Sequence, residues 1–266
     1  MENINTLSTN VAAQLINLAE SRQENLEQLV SLYCQERLLY RLAGSSYDDQ
    51  FYLDGDTLLF ALTDGLVKHS NVLTLTARKS IHQHDIVNQA LKEICLMTVE
   101  DGIEWFAEKI ESILTDNSIH ITIPVALAQM TTYIEVKITF NESARVMPKT
   151  IIFPSLLDCK AAVLYTYPTE FVLAQKFIEI YQYPALEKTA KAIEDVLSLI
   201  QTQNIEGRAL QEYIEELFDR HHFTIELNPT LEISGVLKHF FNPVYEVILD
   251  EDEFFKEWQF DNQAWQ

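Results

Sequence analysis

The first 45 residues carry apolar side chains at three- and four-residue steps. Val11, Leu15, Leu18, Leu26, Leu29, Val30, Leu38, Leu39 and Leu42 fall on that spacing, which predicts helices over 9–45. Gly44-Ser45-Ser46 ends them. Phe51-Tyr52-Leu53 reads as extended, Asp54-Gly55-Asp56 as a turn, and Thr57 to Thr63 as the start of another helix. Val72 to Thr76 alternates apolar with polar, the mark of a half-buried strand. Residues 82–97 have a helical pattern, whereas 104–115 fits helix or strand. Ile119–Pro124 and Thr132–Phe140 read as strands. In the second, Ile134, Val136, Ile138 and Phe140 share one face and Glu135, Lys137 and Thr139 the other.

Beyond Ile151-Ile152-Phe153-Pro154 the period changes. Pro168–Tyr181, Leu186–Gln201 and Gly207–Arg220 are predicted helices. The last stretch, 227–266, is predicted to hold short helices and ends in the acidic and aromatic run Phe254-Phe255-Lys256-Glu257-Trp258-Gln259-Phe260. That tail reads either as a helix docked on the core or as a partner-binding segment. The order is mixed α/β and then helical, with domains of 1–160 and 161–266 and a soft boundary near 150–165.

Composition narrows the class. No apolar run reaches the roughly 18 residues of a membrane span. The opening MENINTLSTNVAAQ lacks a basic region followed by an apolar stretch, so no export signal is expected and the expected compartment is the cytoplasm. The three cysteines (Cys34, Cys95, Cys159) are far apart and odd in number, which fits reduced thiols. Charge changes the picture more. Lys and Arg total 19 against 40 Asp and Glu, a formal net charge of −21. A chain of that sign repels phosphate backbones unless its cations gather in one patch, so a nucleic-acid partner is disfavoured. A cationic protein partner is the functional reading of the charge, and solubility the bland one.

Short motifs carry a family resemblance. Glu36-Arg37-Leu38-Leu39-Tyr40-Arg41-Leu42, then Ser46-Tyr47, then Phe51-Tyr52-Leu53-Asp54-Gly55, resemble an "ERLLYRL…SPY…RFVLKG" opening. Pro154-Ser155-Leu156-Leu157-Asp158 resembles "PTLLDL", Tyr167-Pro168-Thr169-Glu170 with Ala174-Gln175-Lys176 resembles "YP-x-E…AEK", and Lys191 to Asp195 resembles "KDFYDL". In this shared order the motifs resemble the AbiEii/AbiGii toxin type of nucleotidyltransferase. The resemblance implies an α/β (α+β) fold: a nucleotidyltransferase-like mixed β-sheet with flanking helices, followed by a helical C-terminal domain. It implies transfer of a nucleotide from a nucleoside triphosphate to a hydroxyl, on RNA for some members. It also implies a toxin–antitoxin setting with an antitoxin-like or other protein partner.

The family's chemistry uses two magnesium ions held by three carboxylates. Magnesium wants hard oxygen ligands, and two ions clamp the attacking and leaving oxygens of phosphoryl transfer. Counting 17 residues on from Gly55 places the expected Asp-x-Asp pair at Val72 and Thr74, and no Asp or Glu occurs from Leu66 to Ile81. The third carboxylate, expected in a "QIDIGF" pattern, aligns with Lys137 of Glu135-Val136-Lys137-Ile138-Thr139-Phe140. Asp54 stands where the family has the lysine of "KG". An ammonium near a metal position costs roughly 4 kcal/mol per like-charge pair at 4 Å and an effective dielectric of about 20. The expectation is therefore a catalytically inactive member with no metal, acting through binding or protein interaction. The alternative is an active toxin-like enzyme, moving a nucleotide to RNA or protein with non-standard ligands and magnesium. Asp54, Asp56 and Glu135 are its candidate replacement carboxylates, although Asp-Gly-Asp also reads as a plain turn.

The resemblance gives Gly55, Lys176, Lys191 and Asp195 nucleotide-binding roles, against helix-surface or interdomain pairing for the last three. Lys137, Lys176 and Lys191 together would make a metal-free cleft locally positive and favour a nucleotide or phosphate bound without magnesium. His82-x-His84-Asp85 is a weak metal candidate, because His at i and i+2 diverge on a helix, and His221-His222 suits a helix C-terminal dipole. Neither a P-loop nor G-x-G-x-x-G occurs.

Overall fold

The computed structural model describes residues 2–78, 81, 83–140, 146–182, 187–221 and 235–266. The chain forms two compact units, Met1–Ala61 with Lys68–Thr166, and Leu62–Val67 with Tyr167–Gln266. His82 and His222, and the side chain of His221, lie outside the described residues.

The first unit runs α1 (Glu2–Arg22), α2 (Leu26–Ala43), β1 (Phe51–Leu53), α3 (Gly55–Leu62), β2 (Val72–Ala77), α4 (His84–Cys95), β3 (Ile103–Trp105), β4 (Glu111–Leu114), β5 (Ser118–Leu127), β6 (Met130–Phe140), β7 (Lys149–Ile152) and β8 (Val163–Thr166). Asn25 starts α2: its side chain accepts from the amides of Glu27 (2.8 Å) and Gln28 (3.2 Å). The strands form one sheet in the order β3-β5-β6-β2-β1-β8-β7, with β4 also paired to β5. β2 runs parallel to β6 and β1 to β8, and the other pairings are antiparallel. This is the mixed sheet with flanking helices that the motifs imply.

Alternation gives the sheet two unlike faces. Leu73 and Leu75 of β2, Ile134, Val136 and Ile138 of β6, and Ile119, Ile121 and Ile123 of β5 are buried against helices. Val72, Thr74 and Thr76, then Glu135, Lys137 and Thr139, then His120 and Thr122, point the other way. Residues 104–115, ambiguous in sequence, are edge structure: β3, a single 3₁₀ turn (Ala107–Lys109) and β4.

The second unit holds α5 (Thr169–Gln182), α6 (Glu187–Ile200), β9 (Ile205–Glu206), α7 (Gly207–His221), α8 (Gly235–Leu249), β10 (Glu257–Gln259) and β11 (Ala264–Trp265). It is mainly helical, as expected, but the tail differs from the expected short helices. Residues 235–249 make one 15-residue helix, and the aromatic tail forms a small antiparallel sheet in the order β11-β10-β9. The indoles explain the tail's course. Trp258 donates to the Ile200 carbonyl and Trp265 to the Phe240 carbonyl, each at 2.8 Å, while their rings pack on Phe240. Gly207 is required here, because a Cβ would lie 2.5 Å from the carbonyl oxygen of Lys256, the residue just before β10. Among the described residues no helix is long and apolar enough to cross a membrane.

Candidate functional site

Buried charges on α2 tie the helix to distant segments of the first unit. Glu36 and Arg37 of α2 form a buried ion pair. Glu36 also accepts from the Ser155 hydroxyl (3.0 Å) and the Leu156 amide (2.9 Å), and Arg37 donates to the Lys160 carbonyl (2.8 Å). The motif at 36–42 is thus bonded to the Pro154–Asp158 motif, nearly half the chain away. Arg41 makes a second buried ion pair, with Asp101, and its guanidinium lies 4.6 Å from the Trp105 ring centroid. Asp101 accepts from the Ile103 amide at 3.1 Å, and its carbonyl accepts from the Tyr33 hydroxyl at 2.9 Å. Burial pushes the Tyr33 hydroxyl and the Cys34 and Cys95 thiols upward, the thiols to about 12, so these groups stay protonated.

The positions expected to carry metal ligands lie on the opposite face of the sheet, on β2 and β6. Because these strands are parallel neighbours, Val72 stands in register with Glu135, Thr74 with Lys137 and Thr76 with Thr139. On the far side of β6 the register continues to β5: Glu135 meets Thr122, Lys137 meets His120 and Thr139 meets Ser118. Lys137 therefore sits between Thr74 and His120 in one cross-strand row. Sequence reasoning missed His120. Its signal was the alternation of Ile119, Ile121 and Ile123, which turns His120 to the polar side.

The turn after β1 closes over this face. Gly55 has φ +56°, and a Cβ there would lie 3.1 Å from Thr74 Cβ, so this position needs glycine twice over. Thr57, fully buried, accepts from the Thr74 amide at 3.0 Å and donates to the Val72 carbonyl at 3.4 Å, continuing the ladder where β1 stops. Asp54 accepts from the Gly55 amide (2.8 Å) and from the Thr76 hydroxyl (2.5 Å). That bond uses the Thr76 hydrogen, so Thr139 supplies the hydrogen shared between the two threonines at 2.8 Å. The structure brings Asp54, Gly55, Thr74, Glu135 and Lys137 to one face.

Among the described residues neither Lys137 nor Glu135 forms an ion pair. Asp56 has interactions of its own at the start of α3. No group of three or more His, Cys, Asp and Glu among the described residues is placed to hold a metal ion. Further along β6 the face reaches Tyr133, which is exposed and lines a shallow depression of about 650 Å³ with Lys109, Glu111, Thr122 and Pro124.

In the second unit Lys176, Lys191 and Asp195 meet. Asp195, only 3% exposed, accepts from Lys176 of α5 at 3.1 Å and from Lys191 of α6 at 2.7 Å. Lys176 also reaches Glu179 at 3.2 Å. Burial pulls the Lys176 ammonium down, but Glu179 and Asp195 together outweigh it and leave its pKa above the ordinary value. Two carboxylates thus answer the two ammonium groups.

The family model for the nucleotidyl transferase AbiEii toxin, Type IV TA system, matches residues 37–265. Among solved structures, an antigenic nucleotidyltransferase-like protein from Paracoccidioides brasiliensis is 12% identical, with 71% of this chain and 89% of that chain covered at a TM-score of 0.46. JHP933 from Helicobacter pylori is also 12% identical, with 69% of this chain and 70% of that one covered at a TM-score of 0.41. No curated protein matches. With the match running from Arg37 of the signature helix almost to the last residue, the chain belongs to the AbiEii nucleotidyltransferase toxin family.

Proposed function

We propose that this chain is a degenerate nucleotidyltransferase whose sheet face binds a nucleotide without a divalent metal. One observation carries the reading: Lys137 stands between Thr74 and His120 on adjacent strands, where the resemblance expects a metal-binding carboxylate. The donor set does not fit two magnesium ions. Thr74 and Val72 offer no carboxylate, Asp54 is already bonded to Thr76, and an ammonium occupies the middle of the row. The same residues suit a phosphate: a lysine, an imidazole and a hydroxyl side by side.

β6 also sets a scale. Same-face neighbours on a strand are about 6.7 Å apart, so Lys137, Glu135 and Tyr133 make a ladder of roughly 13 Å. A nucleoside monophosphate fits that ladder, with phosphate at Lys137, sugar hydroxyls at Glu135 and base on the Tyr133 ring. Asp54 and Glu135 flank the lysine and repel extra charge, so one phosphate suits the face better than three. The Type IV toxin–antitoxin setting of the family supports a protein antitoxin as partner, and the −21 charge suits a cationic surface on it.

Calorimetric titration with AMP, ATP, GTP, CTP and UTP, each with and without EDTA, tests the proposal. Binding that survives EDTA and is lost in Lys137→Glu is the expected result. Silence with every nucleotide, or binding only with magnesium, overturns it. The active-enzyme reading is separated by radiolabelled nucleotide transfer to tRNA or protein. Incorporation that vanishes in Lys176→Ala would establish activity and defeat the metal-free reading.

A further inference from the structure

The start of α4 and the edge strand β4 bring together three side chains that the nucleotide face does not use. His84 opens α4, and its Nε2 lies 2.9 Å from Ser112 Oγ. Asn88, one turn along, places Nδ2 2.8 Å from the same Oγ and 3.2 Å from His84 Nε2. His84 Nδ1 faces Asp85 Oδ1 at 3.4 Å. Ser112 is in register with Ile121, not with the His120 row, so it belongs to the opposite face of the sheet from Lys137.

Ser112 Oγ and His84 Nε2 can each give or take the hydrogen between them, so two arrangements fit these distances. With the ring proton on Nδ1, toward Asp85, Nε2 presents its lone pair and the hydrogen in the Ser112–His84 contact is the serine's own, the arrangement a general base requires. Asn88 Nδ2 donates to the oxygen that would become an alkoxide. Its own Oδ1 is buried with no partner among the described residues. Gln83 makes no capping bond, and the positive end of α4 lies beside the cluster. The His84 side chain is 32% exposed, which leaves a path for a small reagent.

We propose that Ser112 is a nucleophile activated by His84, and that this corner cleaves small carboxylic esters through an acyl-serine. Ser112 Oγ attacks the carbonyl carbon and its proton passes to His84 Nε2. The C–O bond to the leaving group breaks, and the departing alkoxide takes that proton. Water then attacks the acyl-serine, again giving its proton to His84, which returns it to Ser112 as the acid departs. Asn88 steadies the oxygen of Ser112, and Asp85, fully exposed, adds little beyond orienting the ring.

p-Nitrophenyl acetate is the probe. The expected result is a burst of about one p-nitrophenol per chain, with the acetyl group mapped to Ser112 by mass spectrometry. Ser112→Ala abolishes the burst, and His84→Gln slows acylation by about 100-fold or more. Ring ¹⁵N shifts of His84 place the proton on Nδ1. Absence of a burst, an acetyl group found only on other residues, an unchanged rate in Ser112→Ala, or a proton on Nε2 each overturn it. The wild-type peptide map and ring shifts decide the matter even where a variant fails to fold.

Discussion

The two faces of the first unit's sheet use charge in opposite ways. On the helix side Glu36, Arg37, Arg41 and Asp101 are buried and paired, and they join α2 to segments far along the chain. On the other side Lys137 and Glu135 stand two residues apart with no ion pair between them. Removing a charge from water costs several kcal/mol, so a buried charge persists only when its partner is fixed. A charge at the surface bears no such constraint and is available to a ligand. The residues that make the family opening recognisable are thus fasteners, whereas the residues proposed to bind the nucleotide sit in an ordinary-looking strand.

The sharpest way to break this contrast is to strip one partner from the packed side. Asp101→Ala leaves Arg41 buried and uncompensated, and should cost about 3–5 kcal/mol, read as a shift of the urea midpoint. A loss below about 1 kcal/mol would show that the pair is not what holds Trp105 and β3 to α2. A second handle on the same side is His69. Burial lowers its pKa from 6.5 to about 4, and its Nε2 bonds Gln35 Oε1 at 3.0 Å. The folded state therefore favours the neutral ring, and the unfolded chain takes up the proton first. His69 contributes full stability above about pH 6.5, and that contribution falls away toward pH 4. The loss reaches about 3 kcal/mol by pH 4, at up to roughly 1.4 kcal/mol per pH unit. Denaturation curves at pH 7, 6, 5 and 4.5, with His69→Gln flattening the trend, check the sign and the window.

How much of this could be read in advance differs between elements. β6 was legible because its 11 residues are long enough for Ile134, Val136 and Ile138 to show the period. Its pairing with β2 was not, because neighbours some 60 residues apart are chosen by the sheet as a whole. The segment 104–115 resisted assignment because β3 and β4 span three and four residues and a turn interrupts them. The tail misled for a similar reason: strands of three and two residues carry no period, and aromatic residues serve a docked helix as well as a sheet. The motif at 36–42 was visible, but neither the burial of Glu36 nor its partners at 155 and 156 could be seen without the fold.

On the polar face the expected effects are smaller and concern binding. Lys137→Glu should weaken any metal-independent nucleotide binding by about ten-fold or more, with little change in the urea midpoint. Tyr133→Ala should weaken it about three- to ten-fold, the measure of one aromatic contact. Equal losses of stability in these variants would show that the face is structural, and the contrast between the two sides would fail.

The smallest effect belongs to the second unit, where it sharpens the same point. Lys191 is 46% exposed and meets Asp195 one turn along its own helix, while Asp195 also holds the less exposed Lys176. Pairs this exposed contribute about 0–1 kcal/mol, because water and salt screen them and the lysine loses side-chain freedom. Lys191→Ala leaves Asp195 its bond to Lys176, so the stability loss should stay below about 0.5 kcal/mol, and nucleotide affinity should not change. Lys176 supplies the control. Asp195→Asn lowers the negative charge around both lysines, and if a nucleotide bound there its affinity would rise. An unchanged affinity in Asp195→Asn, together with loss in Lys137→Glu, locates the anion on the sheet face. A rise in Asp195→Asn with no change in Lys137→Glu would instead make these helical lysines the ligand's site, and surface exposure on β6 would no longer separate binding charges from structural ones.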